Sequence, residues 1–295
     1  MENLLYYGIL TLASLFFSVQ FAFSRQYQQD CGTSLPATFQ HTTGYNLIGF
    51  LILFCINGFR LHATPFTVIF GILTGLDAVG YLFCSLRALS KINLTLYAVF
   101  SSLGNLLLPA LVGIVFFKEQ ITPGKIICCV LIVIALALTV RKPEKSAKAG
   151  KKSSGRIYYV GVFVLSGMSG VLSKFHNSLP FERADAASFA MWNALSAMLI
   201  SAVALFIVSR RAKIPRLTLK AVGSIAAYGA LNKTGIYLLL IALVHLPAAA
   251  QYPFVTGGNM IFPTVIAFFT KDKPQKREIL SVILAFVGVL FLVMW

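Results

Sequence analysis

Residues 104–109 read Gly-Asn-Leu-Leu-Leu-Pro and residues 258–263 read Gly-Asn-Met-Ile-Phe-Pro, each inside a long apolar stretch. The pattern returns 154 residues later without a gap, and the same offset matches Gly75 with Gly229, Ala88 with Ala242 and Leu89 with Leu243. An offset of 150 matches Ala37 with Ala187 and Phe39 with Phe189. The chain reads as two copies of one plan.

Composition sets the solvent. A chain of 295 residues that is 58% hydrophobic and only 12% charged cannot cover a soluble globule with polar surface. A bilayer core of about 30 Å takes about 20 apolar residues per helix. Ten such stretches lie at 4–25, 37–58, 65–86, 93–116, 123–140, 157–175, 186–208, 218–243, 247–270 and 277–294. Their continuous apolar character predicts helices rather than the short alternating strands of a membrane barrel. The expected fold is therefore all-α and integral to the membrane, with residues 1–141 as a first repeat, 142–156 as a linker and 157–295 as a second repeat. Five helices per repeat is an odd number, so the second repeat enters from the opposite side and the two are inverted. Inverted repeats recur in secondary transporters, with the binding site between them near the midplane.

Lys and Arg set the orientation. Arg25, Arg87, Lys91, seven cations from Arg141 to Arg156, five from Arg210 to Lys220 and four from Lys271 to Arg277 fall on one side. Only Arg60, Lys118, Lys125, Lys174 and Arg183 fall on the other. The positive-inside rule makes the richer side cytoplasmic, the linker with it, and both termini external, in a plasma (inner) membrane. The formal charge of +16 is carried by short loops, which membrane insertion explains without nucleic acid. The N-terminus lacks the basic start and cleavage site of a signal peptide, so the first helix is expected to be retained. Five cysteines, mostly in apolar runs, read as packing residues rather than a disulfide framework.

Motifs for hydrolases, metalloproteases, phosphate-binding loops and metal clusters are missing from the sequence, so neither an enzyme nor a resident cofactor is expected. Ionisable residues deep in the membrane mark function, and two stand out. Asp77 lies twelve residues from the external start of the third segment and Lys233 about ten from the external end of the eighth, roughly 15 to 18 Å deep at 1.5 Å per residue. Tyr81 and Tyr237 follow them by four residues, one turn away on the same face. Two readings fit: the charges neutralise each other and pin two helices together, or they hold opposite ends of a zwitterion. Asp77 is also a candidate proton site.

Pro109 frees the carbonyl of Asn105 and Pro263 that of Asn259, each beside an amide side chain near the midplane. Gly104 with Pro109 and Gly258 with Pro263 are candidate hinges, or kinks that only shape packing. Tyr97, Gln251, Tyr252, Trp192, Asn193, His41 and Gln20 are further polar or amphipathic groups within apolar runs. Gln40, His41, Thr42 and Thr43 are read as close to the external end of the second segment, lining a vestibule.

The chain resembles the drug/metabolite transporter superfamily, in particular its EamA-type ten-helix members. The likeness rests on Ala88-Leu89, on Pro109 followed ten residues later by Glu119 in Phe117-Lys118-Glu119-Gln120-Ile121-Thr122, on Ala242-Leu243 with Pro263, and on Gly288-Val289. Lys273 stands where the second Glu belongs, Cys128 and Cys129 where helix five often has Gly, and the Trp-Gly of helix one is absent. The resemblance implies a five-plus-five inverted bundle around a central cavity that moves small metabolites, often amino acids, by rocking. Substrate binding is accordingly expected at Asp77, Lys233, Asn105, Asn259, Tyr81, Tyr237, Trp192, Gln251 and Tyr97. The expected partners are a small polar or zwitterionic molecule and the lipid bilayer. Alternatives are a quaternary amine held by Asp77 with Tyr81, Tyr237, Trp192 and Phe100, or a membrane scaffold with a dry core.

Overall fold

The computed structural model describes residues 2–91, 94–118, 120–139, 156–245, 248–269 and 274–294. The linker proposed at 142–156 lies almost wholly outside them, as do Glu119 and Lys273. Ten helices are present among the described residues: α1 (Glu2–Cys31), α2 (Leu35–Ile56), α3 (Pro65–Leu89), α4 (Leu94–Phe116), α5 (Pro123–Thr139), α6 (Arg156–Ser178), α7 (Ala186–Ser209), α8 (Leu219–His245), α9 (Ala248–Phe268) and α10 (Lys276–Met294). They follow the apolar stretches to within a few residues. The exception is α1, which continues six residues past the expected end because Tyr27 is buried and its hydroxyl donates to the Ala37 carbonyl at 2.8 Å.

Local chemistry fixes the helix starts. Ser34, Thr64 and Asp185 each accept a backbone N–H three residues on, capping α2, α3 and α7, and Pro36 and Pro65 occupy the first turns where no N–H is needed. Among the described residues, six helices are long and apolar enough to cross a membrane: α1, α2, α3, α4, α6 and α7. Large apolar side chains stay exposed along the bundle, among them Leu219 at 90%, Val115 at 70% and Val203 at 60%. Such a surface suits lipid rather than water.

Packing divides the helices into two groups. In one, α1 packs on α8 and α9, and α2 packs on α8; in the other, α6 packs on α3 and α4, and α7 packs on α3. Renumbering every helix by five converts the first set into the second. Contacts of α2 with α7 and of α4 with α9 join the groups, and α5 packs on α10 beside them.

Glycines set the closest approaches. A Cβ on Gly75 would lie 2.7 Å from Ser196 Cβ of α7, and one on Gly229 would lie 2.7 Å from the Tyr45 carbonyl of α2. One on Gly104 would collide with the Phe163 carbonyl and Ser166 of α6, and one on Gly258 would lie 2.6 Å from Ser14 Cβ of α1. In each pair the two glycines are 154 residues apart and face helices five apart in number.

The two ends differ in chemistry. Arg25, Arg87, Lys91, Arg210 and Lys220 gather at the end where α1, α3 and α7 finish and α2 and α8 begin. Tyr158 places the start of α6 there too, with its ring 5.8 Å from the Arg87 guanidinium and 5.6 Å from Lys91 Nζ. This is the basic end. The opposite end holds Arg60, Lys118 and Arg183 and is the sparse end.

Candidate functional site

Four helices, α1, α2, α3 and α8, enclose the middle of the molecule, since α1 touches α2, α3 and α8, and α2 touches α3 and α8. Asp77 is twelve residues from the start of α3 and Lys233 twelve from the end of α8, so both stand at the same depth from the sparse end. Both are buried, at 8% and 3% exposure. They form no ion pair with each other, and Asp77 Oδ1 has no hydrogen-bond partner. The pinning role expected for the pair is therefore not made in this arrangement. The aliphatic stem of Lys233 lies across Gly49 of α2, where a Cβ would be only 2.9 Å from Lys233 Cε.

Below Asp77, toward the basic end, lies a network of hydroxyls. Tyr81 and Tyr97 share a 2.6 Å hydrogen bond, Tyr81 and Ser101 one of 2.9 Å, and Tyr97 and Ser85 one of 2.7 Å. Phe21 of α1 packs edge-on against Tyr97 with ring centroids 5.0 Å apart. The Asp77 carboxyl is within electrostatic reach of Tyr81, and Tyr81 within that of Tyr45 and Tyr228. Tyr97 and Tyr81 thus stand beneath Asp77 as one connected group.

A second aromatic group surrounds His41. The rings of Tyr27, Tyr45 and Tyr228 lie 4.5, 5.6 and 5.1 Å from the imidazole, which is fully buried with neither nitrogen hydrogen-bonded. This group lies at the basic end, six residues from the start of α2, not at the external end expected for Gln40 to Thr43. The reason is connectivity: α1 ends and α2 begins on the same side, with Arg25, and the Tyr27 hydroxyl reaches both the Ala37 carbonyl and, at 3.3 Å, Gln40 Oε1. The cage around His41 is filled by the imidazole itself.

The remaining expected residues are dispersed. Asn105 is exposed, and a Cβ on Gly170 of α6 would lie 2.8 Å from its Oδ1 and 2.6 Å from Pro109 Cγ. Gly104, Asn105 and Pro109 therefore sit in the seam between α4 and α6. Gly258 occupies the corresponding seam between α9 and α1, with Asn259 Oδ1 buried and unpartnered and Pro263 buried. Trp192 lies toward the sparse end, where its indole N–H donates to the His62 carbonyl at 3.1 Å. Phe100 packs 6.1 Å from Tyr159, and Tyr237 is half-buried one turn beyond Lys233. The side chains of Gln251 and Tyr252 lie outside the described residues. Tyr45, Ser85 and Tyr228 enter these groups, and buried Asn46 follows Tyr45 on α2, without having been singled out from sequence. Asn46 and Tyr45 share a signal with Lys233, namely the small Gly49 one turn on, yet only the neighbouring helix reveals it.

No three His, Cys, Asp or Glu come together at metal spacing among the described residues. A cluster at the sparse end is structural in character: His62 Nδ1 meets Asp185 Oδ1 at 2.9 Å, the His62 N–H donates to Ser188 Oγ at 3.0 Å, and Ser188 Oγ donates to Asp185 Oδ1 at 2.7 Å. Burial pushes the Asp185 carboxyl upward, but hydrogen bonds from the Ser188 hydroxyl and N–H and from His62 outweigh it and hold the group below the ordinary carboxylate value.

No family model matches this chain, and no curated protein matches it. Chains of solved structures do match, 26 in number. One, described only as "Crystal structure of protein", aligns over 98% of this chain and 96% of its own length with a TM-score of 0.64 and 16% identity, so the ten-helix fold is one that has been observed before.

Proposed function

We propose that this chain is a secondary transporter of a small zwitterionic, amino-acid-like metabolite, working by alternating access. The observation that carries the reading is the pair Asp77 and Lys233: opposite charges, buried at one depth, on helices of different packing groups, and not bonded to each other. Leaving buried ionisable groups unpaired is costly. A ligand that brings an ammonium to Asp77 and a carboxylate to Lys233 removes that cost and at the same time ties one group of helices to the other. A rocking transporter needs that coupling, since a ligand shifts an equilibrium only through its different affinity for the two states.

The exchange of helix contacts on renumbering by five supports two inverted five-helix repeats, residues 1–141 and 157–295, each giving helices to both groups. The cation asymmetry supports a cytoplasmic basic end and external termini in the plasma membrane. With the motifs around Pro109 and Pro263, these features fit the drug/metabolite transporter superfamily.

The test is a thermal-shift and counterflow comparison of amino acids, amines and phosphate esters on the purified chain. A ligand at a hundred times its dissociation constant stabilises the folded form by about 2.7 kcal/mol. An amino acid is expected to give that shift and to be exchanged across vesicles, and both Asp77→Asn and Lys233→Met should abolish the response. Normal transport of the amino acid by both variants would sink the assignment.

A further inference from the structure

Two more polar side chains stand at the level of the opposed charges. Gln20 is eleven residues from the end of α1 and Asn46 eleven from the start of α2, while Asp77 is twelve from the end of α3 and Lys233 fourteen from the start of α8. At about 1.5 Å per residue these heights above the basic end agree to within roughly one helical turn. Gln20 is 5% exposed and Asn46 fully buried, so neither is solvated from outside. Asn46 also shares a helix face with Gly49, three residues on, which carries the Lys233 stem.

The orientation of Asn46 is decided by chemistry. Its Nδ2 donates to the Thr42 carbonyl at 2.9 Å, a group that can only accept, so the free atom is the oxygen. Asn46 Oδ1, Gln20 Oε1 and Asp77 Oδ1 are all buried without a hydrogen-bond partner. At the level of Lys233, the layer therefore presents three unmet acceptors on three helices. Buried acceptors demand donors. A primary ammonium supplies three N–H donors, whereas a trimethylammonium of the same charge supplies none.

We infer that Gln20 and Asn46 join Asp77 in a three-oxygen cradle for a primary ammonium, so that the site discriminates by donor count rather than by charge alone. The inference rests on the transporter reading and narrows its substrate class to zwitterions that carry an NH3+ group, excluding betaines. A site that hydrogen-bonds its ligand rejects an analogue without the donors far more strongly than a site that reads charge and size.

The experiment pairs three amino acids, glycine, alanine and phenylalanine, with their N-trimethylated betaines, and titrates each into the purified full-length chain in nanodiscs. The expected result is that whichever amino acid binds does so at least tenfold more tightly than its own betaine, and that Gln20→Met and Asn46→Leu each narrow that ratio at least threefold. The first comparison uses the unaltered chain, so it stands even if a variant fails to fold. A betaine binding within threefold of its parent, or a ratio unchanged in both folded variants, overturns the cradle while leaving a zwitterion transporter intact. Binding of neither member of any pair overturns the transporter reading itself, and the cradle with it.

Discussion

At the basic end the buried aromatic clusters cross from one helix group to the other, whereas at the sparse end the corresponding clusters lie within a group. Phe21 of α1 packs on Tyr97 of α4, and Leu82 and Leu86 of α3 bury themselves among Tyr27, Tyr45, Ile225 and Tyr228 of α1, α2 and α8. Each of these contacts crosses from one group to the other. At the sparse end, Leu10, Tyr6 and Tyr7 pack with Leu239, Ala242 and Val255, all within α1, α8 and α9. The polar cluster of His62, Asp185, Ser188, Thr67 and His176 ties the segment leading into α3 to α6 and α7. These clusters stay on their own side. The difference teaches that the groups are clamped by aromatic contacts at the basic end, which is the cytoplasmic end under the transporter reading.

The largest expected effect comes from breaking that clamp. Phe21→Ala removes the aromatic contact to Tyr97, and truncating a buried Phe typically removes about 3 to 5 kcal/mol. Because the contact crosses the groups, the loss falls on the closed basic end, and Cys84, which packs against the same cluster, should react faster with a water-soluble thiol reagent. Unchanged labelling of Cys84 would mean that the basic end is not the part that opens.

A smaller effect separates the two repeats. Gly104→Ala drives a methyl into the Phe163 backbone carbonyl and should cost about 1 to 3 kcal/mol in a thermal melt. Gly258→Ala meets the Ser14 side chain instead and should cost less. Equal losses would show that the seams between α4 and α6 and between α9 and α1 are equally unyielding.

The smallest effect belongs to the sparse end. The Asp185 carboxyl is held low in the folded chain, so the stability it contributes is fully present above its unfolded value of about 3.9 and is lost as pH falls through the lower folded value. Its side chain is 41% exposed, and solvent screening keeps the contribution below about 1 kcal/mol. Asp185→Asn preserves an N-cap while removing the charge. Melting temperatures of the two proteins should differ above pH 4 and converge below it; a constant difference down to pH 2 would contradict this account.

Much of the helix layout was legible because lipid requires continuous apolar runs, and such runs leave no ambiguity of period. The end of α1 was not, since Gln26, Gln28, Gln29 and Asp30 look like a loop until Tyr27 is seen anchored to α2. Asp77 and Lys233 were conspicuous because charge inside an apolar run needs no neighbour to be noticed. Asn46 was hidden in a polar stretch, Thr42-Thr43-Gly44-Tyr45-Asn46, and the role proposed for it depends on α8, 187 residues further along the chain at Lys233. The repeated Gly-Asn-x-x-x-Pro was legible as a repeat but not as a seam, because a glycine's purpose lies in the helix that approaches it. Trp192 was legible only as an amphipathic ring, because the His62 carbonyl that takes its N–H lies 130 residues away in the chain.

The partnership of α1 with α8 and α9 bears on biogenesis. A ribosome delivers α1 long before its two main neighbours, so the serine-bearing face around Ser14 and Ser18 must wait while six further helices are made. Membrane chaperones that shield small polar faces, and truncations that stop synthesis after α7, should therefore have a much stronger influence on the yield of this protein than its hydrophobicity alone would suggest.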